Sequence, residues 1–158
     1  MNWEEVTKNP NLRDLPFKIE LNEWGHIVMN PVKLSHSAYQ GEIGKIMSNL
    51  RDDGLVLSEC AVWTRKGTKV ADVAWFSDER WRKQKGNAEA TIAPEICVEV
   101  LSMSNSAYEM EVKRKLYFEQ SAQEFWICDE YGNISFYSAK RKLAKSKMFP
   151  EFQKRVEI

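Results

Sequence analysis

Residues 96–101 read Ile-Cys-Val-Glu-Val-Leu, a stretch in which every side chain except that of Glu99 is apolar. This pattern is typical of a central strand covered by helices on both faces of a sheet. A carboxylate in such a strand costs several kcal/mol unless it is paired, neutralised or bound to a metal ion. Glu99 is therefore the first candidate for a functional residue.

A second acid interrupts the apolar run at residues 70–76, Val-Ala-Asp-Val-Ala-Trp-Phe. Aspartate is depleted in strands, so the position of Asp72 requires a reason. The two runs predict that Asp72 and Glu99 lie on adjacent strands, with carboxylates close enough to share a cation.

The pattern around these runs predicts an α/β (α+β) fold in which one mixed sheet is flanked by helices. We expect one domain over residues 1–158, with an N-terminal appendage at 1–16 and a C-terminal extension at 139–158. The predicted elements are a short helix within 2–17, a hairpin over 17–29, helices over 35–51 and 104–120, a long loop over 77–91, and strands over 55–57, 60–63, 70–76, 94–101, 124–128 and 134–137.

Composition excludes several classes of protein. The chain has 158 residues, of which 43% are hydrophobic and 29% charged, so it can build a core and is not a disordered chain. No apolar run is long enough to span a membrane and no signal peptide is evident, so we expect a cytoplasmic protein without a membrane partner. Lys plus Arg equal Asp plus Glu at 23 each, which argues against tight coating of DNA but allows an enzyme with local contacts.

Both longer helices contain a charged or polar residue on their apolar side. At 100° per residue, Lys113 lies within the apolar arc of the second helix, whereas Lys115 lies outside it. His36 lies in the apolar stripe of the first helix and Gln40 lies near its edge. The two acids, the inward lysine and the inward histidine could thus converge.

Two carboxylates on neighbouring strands can bind one hard divalent cation, which lowers the pKa of a bound water and polarises a phosphate oxygen. A nearby lysine can then stabilise the transition state, as in a phosphodiesterase. The alternative is a core ion pair between Glu99 and Lys113, with Asp72 at a strand end. The helical-wheel geometry of the two helices alone leaves both interpretations open.

At these residues the chain resembles the Uma2 family (DUF820) of the PD-(D/E)XK nuclease superfamily, which has a restriction-endonuclease-like fold. The resemblance covers roughly residues 17–137, although Ala71 and Met103 replace two prolines of the family pattern. The matching segments are Gly25-His26-Ile27-Val28-Met29, His36, Ala71-Asp72-Val73, Glu99-Val100-Leu101-Ser102-Met103-Ser104, Lys113 with Tyr117, and Glu124-Phe125-Trp126-Ile127-Cys128-Asp129.

The resemblance implies a Mg²⁺- or Mn²⁺-dependent endonuclease that hydrolyses phosphodiester bonds of nucleic acid, with DNA as the expected substrate. Asp72, Glu99 and the backbone carbonyl of Val100 would hold the metal. Lys113 would take the role of the superfamily's motif lysine, and His36 or Gln40 would complete the site. Many nucleases of this fold dimerise to cut both strands, so a homodimer is an open alternative.

A second hypothesis is a catalytically silent nuclease-like module that binds nucleic acid or a protein partner. Its contact surfaces would be the loop from Arg80 to Lys85, which contains Trp81, and the basic tail over residues 140–147. Basic residues beside an aromatic ring suit a phosphate backbone and base stacking. An intact set of Asp72, Glu99 and Lys113 favours the enzyme.

Overall fold

A computed structural model describes residues 1–158 of the chain. The elements follow in the order α1 (Trp3–Lys8), a 3₁₀ turn (Pro10–Leu12), β1 (Phe17–Leu21), β2 (Ile27–Pro31), α2 (Leu34–Leu50), β3 (Leu55–Val62), β4 (Lys69–Phe76), α3 (Asp78–Gln84), β5 (Ile96–Val100), α4 (Ala107–Glu119), β6 (Glu124–Cys128), β7 (Ile134–Tyr137) and β8 (Lys142–Leu143). None of the helices is long and apolar enough to cross a membrane.

The strands form a six-stranded mixed sheet in the order β3-β4-β5-β6-β7-β8 and a separate hairpin of β1 and β2. Only the β5–β6 pair is parallel, and α4 makes the crossover between these two strands. The predicted fold class, a mixed sheet with helices on its faces, is confirmed.

Alternation along the strands divides the apolar side chains between two cores, one on each face of the sheet. Val98 and Trp126 belong to the core beneath α2, whereas Cys97 and Phe125 belong to the core beneath α4. All five residues of β5 are buried, as a strand covered on both faces requires. This burial sets the environment of Glu99.

Two predictions about local structure are wrong. The runs at 55–57 and 60–63 form the single strand β3, in which Glu59 has a φ of 54°, and Trp63 beyond its end is 45% exposed. The region 77–91 contains helix α3 instead of a continuous loop. Ser77 caps α3 through the backbone N–H of Arg80, and acidic residues in the first turn and basic residues in the last favour the helix dipole.

The C-terminal extension is part of the core beneath α2, to which it contributes Phe149, Phe152 and Val156. The backbone N–H of Val156 donates to the carbonyl of Gly132 at 2.8 Å. Gly132 has a φ of 85°, and a Cβ at this position would clash with the Val156 carbonyl. A side chain at residue 132 would therefore displace the tail.

We expect Phe149→Ala to lower the free energy of unfolding by about 3–5 kcal/mol, because it leaves a cavity in the core. The Phe149 ring lies edge-on to Trp75 and Trp126, with centroid separations of 5.6 and 6.0 Å. Urea denaturation measures the change. The control Tyr108→Ala, at a ring 75% exposed, should stay within about 0.5 kcal/mol. Equal effects of the two changes would mean that the tail is not a core element.

Candidate active site

Asp72 and Glu99 lie beside each other on neighbouring strands. β4 and β5 are antiparallel with Val73 opposite Val98, so the next positions in register are Asp72 and Glu99. Both side chains are buried, with exposed fractions of 1% and 2%. The backbone N–H of Val100 donates to Asp72 Oδ2 at 2.8 Å and fixes that carboxylate. The predicted adjacency of the two acids is confirmed.

Helix α4 supplies two groups that contact Glu99. Lys113 Nζ lies 3.3 Å from Glu99 Oε1, and the Tyr117 hydroxyl donates to the same oxygen at 2.8 Å. Lys113 is buried, whereas the Lys115 side chain is 64% exposed. The wheel therefore predicted correctly which lysine points inward.

Helix α2 brings one of its two candidate residues to the acids. His36 is buried, and its Nε2 lies 3.3 Å from Asp72 Oδ2. Its Nδ1 is the only buried side-chain nitrogen or oxygen without a hydrogen-bond partner. Gln40 is half-buried, and its side chain forms no hydrogen bond with either acid.

The hairpin adds two residues that sequence reasoning missed, Lys18 and Glu20 on β1. Lys18 Nζ lies 2.9 Å from Asp72 Oδ1 and 3.3 Å from Glu99 Oε2. Glu20 Oε1 accepts from Lys113 Nζ at 2.8 Å and from the backbone N–H of Val70 at 2.9 Å. Lys18 and Glu20 alternate with apolar residues along β1, and their side of the strand packs against β4 instead of facing solvent.

Burial and charge pairing shift the pKa values of this cluster in opposite directions. Burial disfavours ionisation of Asp72, but the imidazole of His36 and the charge of Lys18 outweigh it and hold the pKa below its usual 3.8. Burial of Glu20 is likewise outweighed by Lys113 and Lys18, which lower its pKa. For Glu99 burial dominates and raises the pKa despite the same two lysines. The acids thus differ in how readily they ionise, as functional carboxylates often do.

The low pKa of Asp72 predicts that the stability of the fold depends on pH. Because this pKa is lower in the folded chain than in the unfolded chain, ionised Asp72 stabilises the fold above about pH 3.8, and the contribution is lost as pH falls towards the folded value. The difference in free energy of unfolding between wild type and Asp72→Asn should shrink by about 1 kcal/mol between pH 6 and pH 3. Urea denaturation across this range measures it, and a constant difference would contradict the assigned pairing.

The two acids each present one oxygen to the same point. Asp72 Oδ2 and Glu99 Oε1 are already bound by other groups of the protein, whereas Asp72 Oδ1 and Glu99 Oε2 contact only Lys18 Nζ. A position from which one cation contacts both acids suits a divalent metal ion. No group of three or more His, Cys, Asp or Glu side chains is arranged to hold a metal. Two carboxylates nevertheless fit Mg²⁺, which is commonly held by one or two carboxylates and keeps several waters.

The predicted contact loop at Arg80 and Trp81 is largely occupied by internal contacts. Arg80 Nη1 donates to the carbonyls of Ala93 and Ser121 at 2.7 and 2.9 Å. The Trp81 ring packs against Phe76 at 5.7 Å between centroids. The Arg80 guanidinium is thus occupied by internal contacts, and the half-buried Trp81 ring is partly covered by Phe76.

Comparisons with known proteins agree with the fold. The Uma2 family model, described as "Putative restriction endonuclease", matches residues 3–148. A solved structure from Anabaena variabilis, described as "a putative nuclease belonging to DUF820", is similar with a TM-score of 0.75 and 18% sequence identity. The similarity covers 96% of this chain and 92% of that one. No curated protein matches this chain.

Proposed function

Because the chain belongs to the Uma2 family, we propose that it is a divalent-metal-dependent endonuclease that hydrolyses phosphodiester bonds, with DNA as its substrate. One observation carries the proposal. Asp72 Oδ1 and Glu99 Oε2 both face a single position that a cation can occupy. Lys113 contacts the other carboxylate oxygen of Glu99. Paired acids with an adjacent lysine are the groups that metal-assisted phosphodiester hydrolysis requires.

In this proposal Asp72, Glu99 and the Val100 carbonyl hold Mg²⁺ or Mn²⁺. When bound, such an ion lowers the pKa of a water ligand and polarises a phosphate oxygen. The chain itself orients the acids: the Val100 N–H and His36 hold Asp72, and the Tyr117 hydroxyl holds Glu99.

Lys113 has the chemical role of a fixed cation. Burial opposes its charge, but Glu99 and Glu20 raise its pKa above the ordinary value, so the ammonium stays protonated. Its proposed task is to stabilise negative charge on the transferring phosphate. Glu20, at 2.8 Å, is a positioning residue that holds the ammonium beside Glu99.

A second candidate function is the silent binding module, and the burial of the site favours it. The side chains of Lys18, Glu20, Asp72, Glu99 and Lys113 are all exposed by 8% or less, and their charged groups pair with one another. A phosphodiester reaches the acids only if a covering segment moves. The β1 strand is the natural segment, since it carries Lys18 and Glu20.

Incubation with supercoiled plasmid in the presence of Mg²⁺, Mn²⁺ or EDTA distinguishes the two functions. The endonuclease yields nicked or linear DNA with either metal and none with EDTA. Plasmid linearised by a cut of both strands at one site would indicate that two copies act together as a homodimer. Binding of the plasmid without cleavage under any metal would favour the silent module.

A further inference from the structure

Lys18 is the one positively charged side chain that contacts both Asp72 and Glu99. Its Nζ touches Asp72 Oδ1 at 2.9 Å and Glu99 Oε2 at 3.3 Å, and these two oxygens have no other hydrogen-bond partner. The ammonium group therefore lies at the position from which a metal ion would contact both acids.

The charge of the cluster permits one cation at this position more readily than two. Three carboxylates, from Glu20, Asp72 and Glu99, face two ammonium groups, from Lys18 and Lys113. A divalent ion added while Lys18 remains would leave these five side chains and the ion with an excess of positive charge in a buried space. If Lys18 withdraws, the metal and Lys113 balance the three carboxylates. Because unbalanced buried charge is costly, electrostatics favours exchange.

Lys18 is also placed so that it can leave. Its Nζ contacts only carboxylates, the third being Glu20 at 3.8 Å, and it donates to no backbone carbonyl. It lies on β1, outside the six-stranded sheet, next to Phe17, which is 41% exposed. A lysine ammonium on a flexible four-carbon stem can swing towards solvent without unfolding the strand.

We propose that Lys18 is an internal counter-ion that competes with the divalent metal for Asp72 and Glu99, and so sets the metal affinity of the site. The inference rests on the proposed function, since it assumes the same metal position. In the metal-free protein Lys18 holds the two acids together, and on metal binding it withdraws towards solvent.

The test is calorimetric titration of Mn²⁺ into wild type and variants at residue 18. Lys18→Met should bind Mn²⁺ about tenfold more tightly or better, because the competing cation is gone. Lys18→Arg should bind more weakly than wild type, because a guanidinium bridges carboxylates more strongly than an ammonium. The matched control is Lys69→Met on β4, whose Nζ donates to the Leu21 carbonyl and contacts neither Asp72 nor Glu99.

The outcomes separate this inference from the proposed function. Measurable Mn²⁺ affinity that is the same in wild type, Lys18→Met and Lys18→Arg overturns the role of Lys18 and leaves the metal site standing. Absence of Mn²⁺ binding in all of them overturns both. Lys18→Arg also keeps the test decisive if Lys18→Met does not fold without metal, since it retains the positive charge.

Discussion

Lys113→Met should lower the rate of plasmid cleavage by about 10² to 10³-fold, the usual loss when one transition-state donor is removed. The ammonium is buried 3.3 Å from Glu99 and 2.8 Å from Glu20, and methionine keeps its approximate length without the charge. Initial rates of nicking in excess Mg²⁺ measure the effect.

The same substitution should also destabilise the metal-free protein, because three carboxylates would then face Lys18 alone. Added Mg²⁺ should restore part of the lost thermal stability by binding the folded form. Melting curves of the variant with and without Mg²⁺ measure the loss of stability. The catalytic effect is separate, since cleavage by the variant should stay low even when Mg²⁺ has restored the fold.

Lys115→Met is the matched control, on the same helix but with a side chain 64% exposed. It should change cleavage little. If Lys115→Met abolished cleavage while Lys113→Met retained it, the assignment of the inward lysine would be wrong.

Glu99→Gln should lower cleavage by about 10³-fold, since loss of the metal removes several kcal/mol of transition-state stabilisation. The amide keeps the shape of the side chain but removes the charge that attracts the cation. The control Glu111→Gln, on α4 and away from the cluster, should leave cleavage unchanged. A Glu99→Gln variant that cuts at the wild-type rate would show that Glu99 is only the core partner of Lys113.

The positions of Asp72, Glu99 and Lys113 could be predicted because each residue breaks the pattern of its own element. A carboxylate in a strand apolar on both faces cannot reach solvent, and a lysine within an apolar helical arc must point inward. Local periodicity therefore sufficed to identify them.

Lys18 and Glu20 could not be found in this way, because alternation in β1 gives both of them an ordinary exposed position. Their burial follows from the packing of the hairpin against β4, a contact between segments about 50 residues apart that no local pattern encodes. Opposite charges two residues apart on one strand face were the only available signal. Helix α3 was missed for a different reason: its capping serine and charge gradient are helix signals, but the polar composition outweighed them in the interpretation.

Calorimetric titration of Mg²⁺ or Mn²⁺ into wild type, Asp72→Asn and Glu99→Gln tests the central claim most directly. The account predicts binding by the wild type and affinity weakened about tenfold or more in both variants, since each removes a charge from one of the two converging oxygens. Equal affinity in all three proteins would place the cation away from Asp72 and Glu99 and would contradict the proposed site.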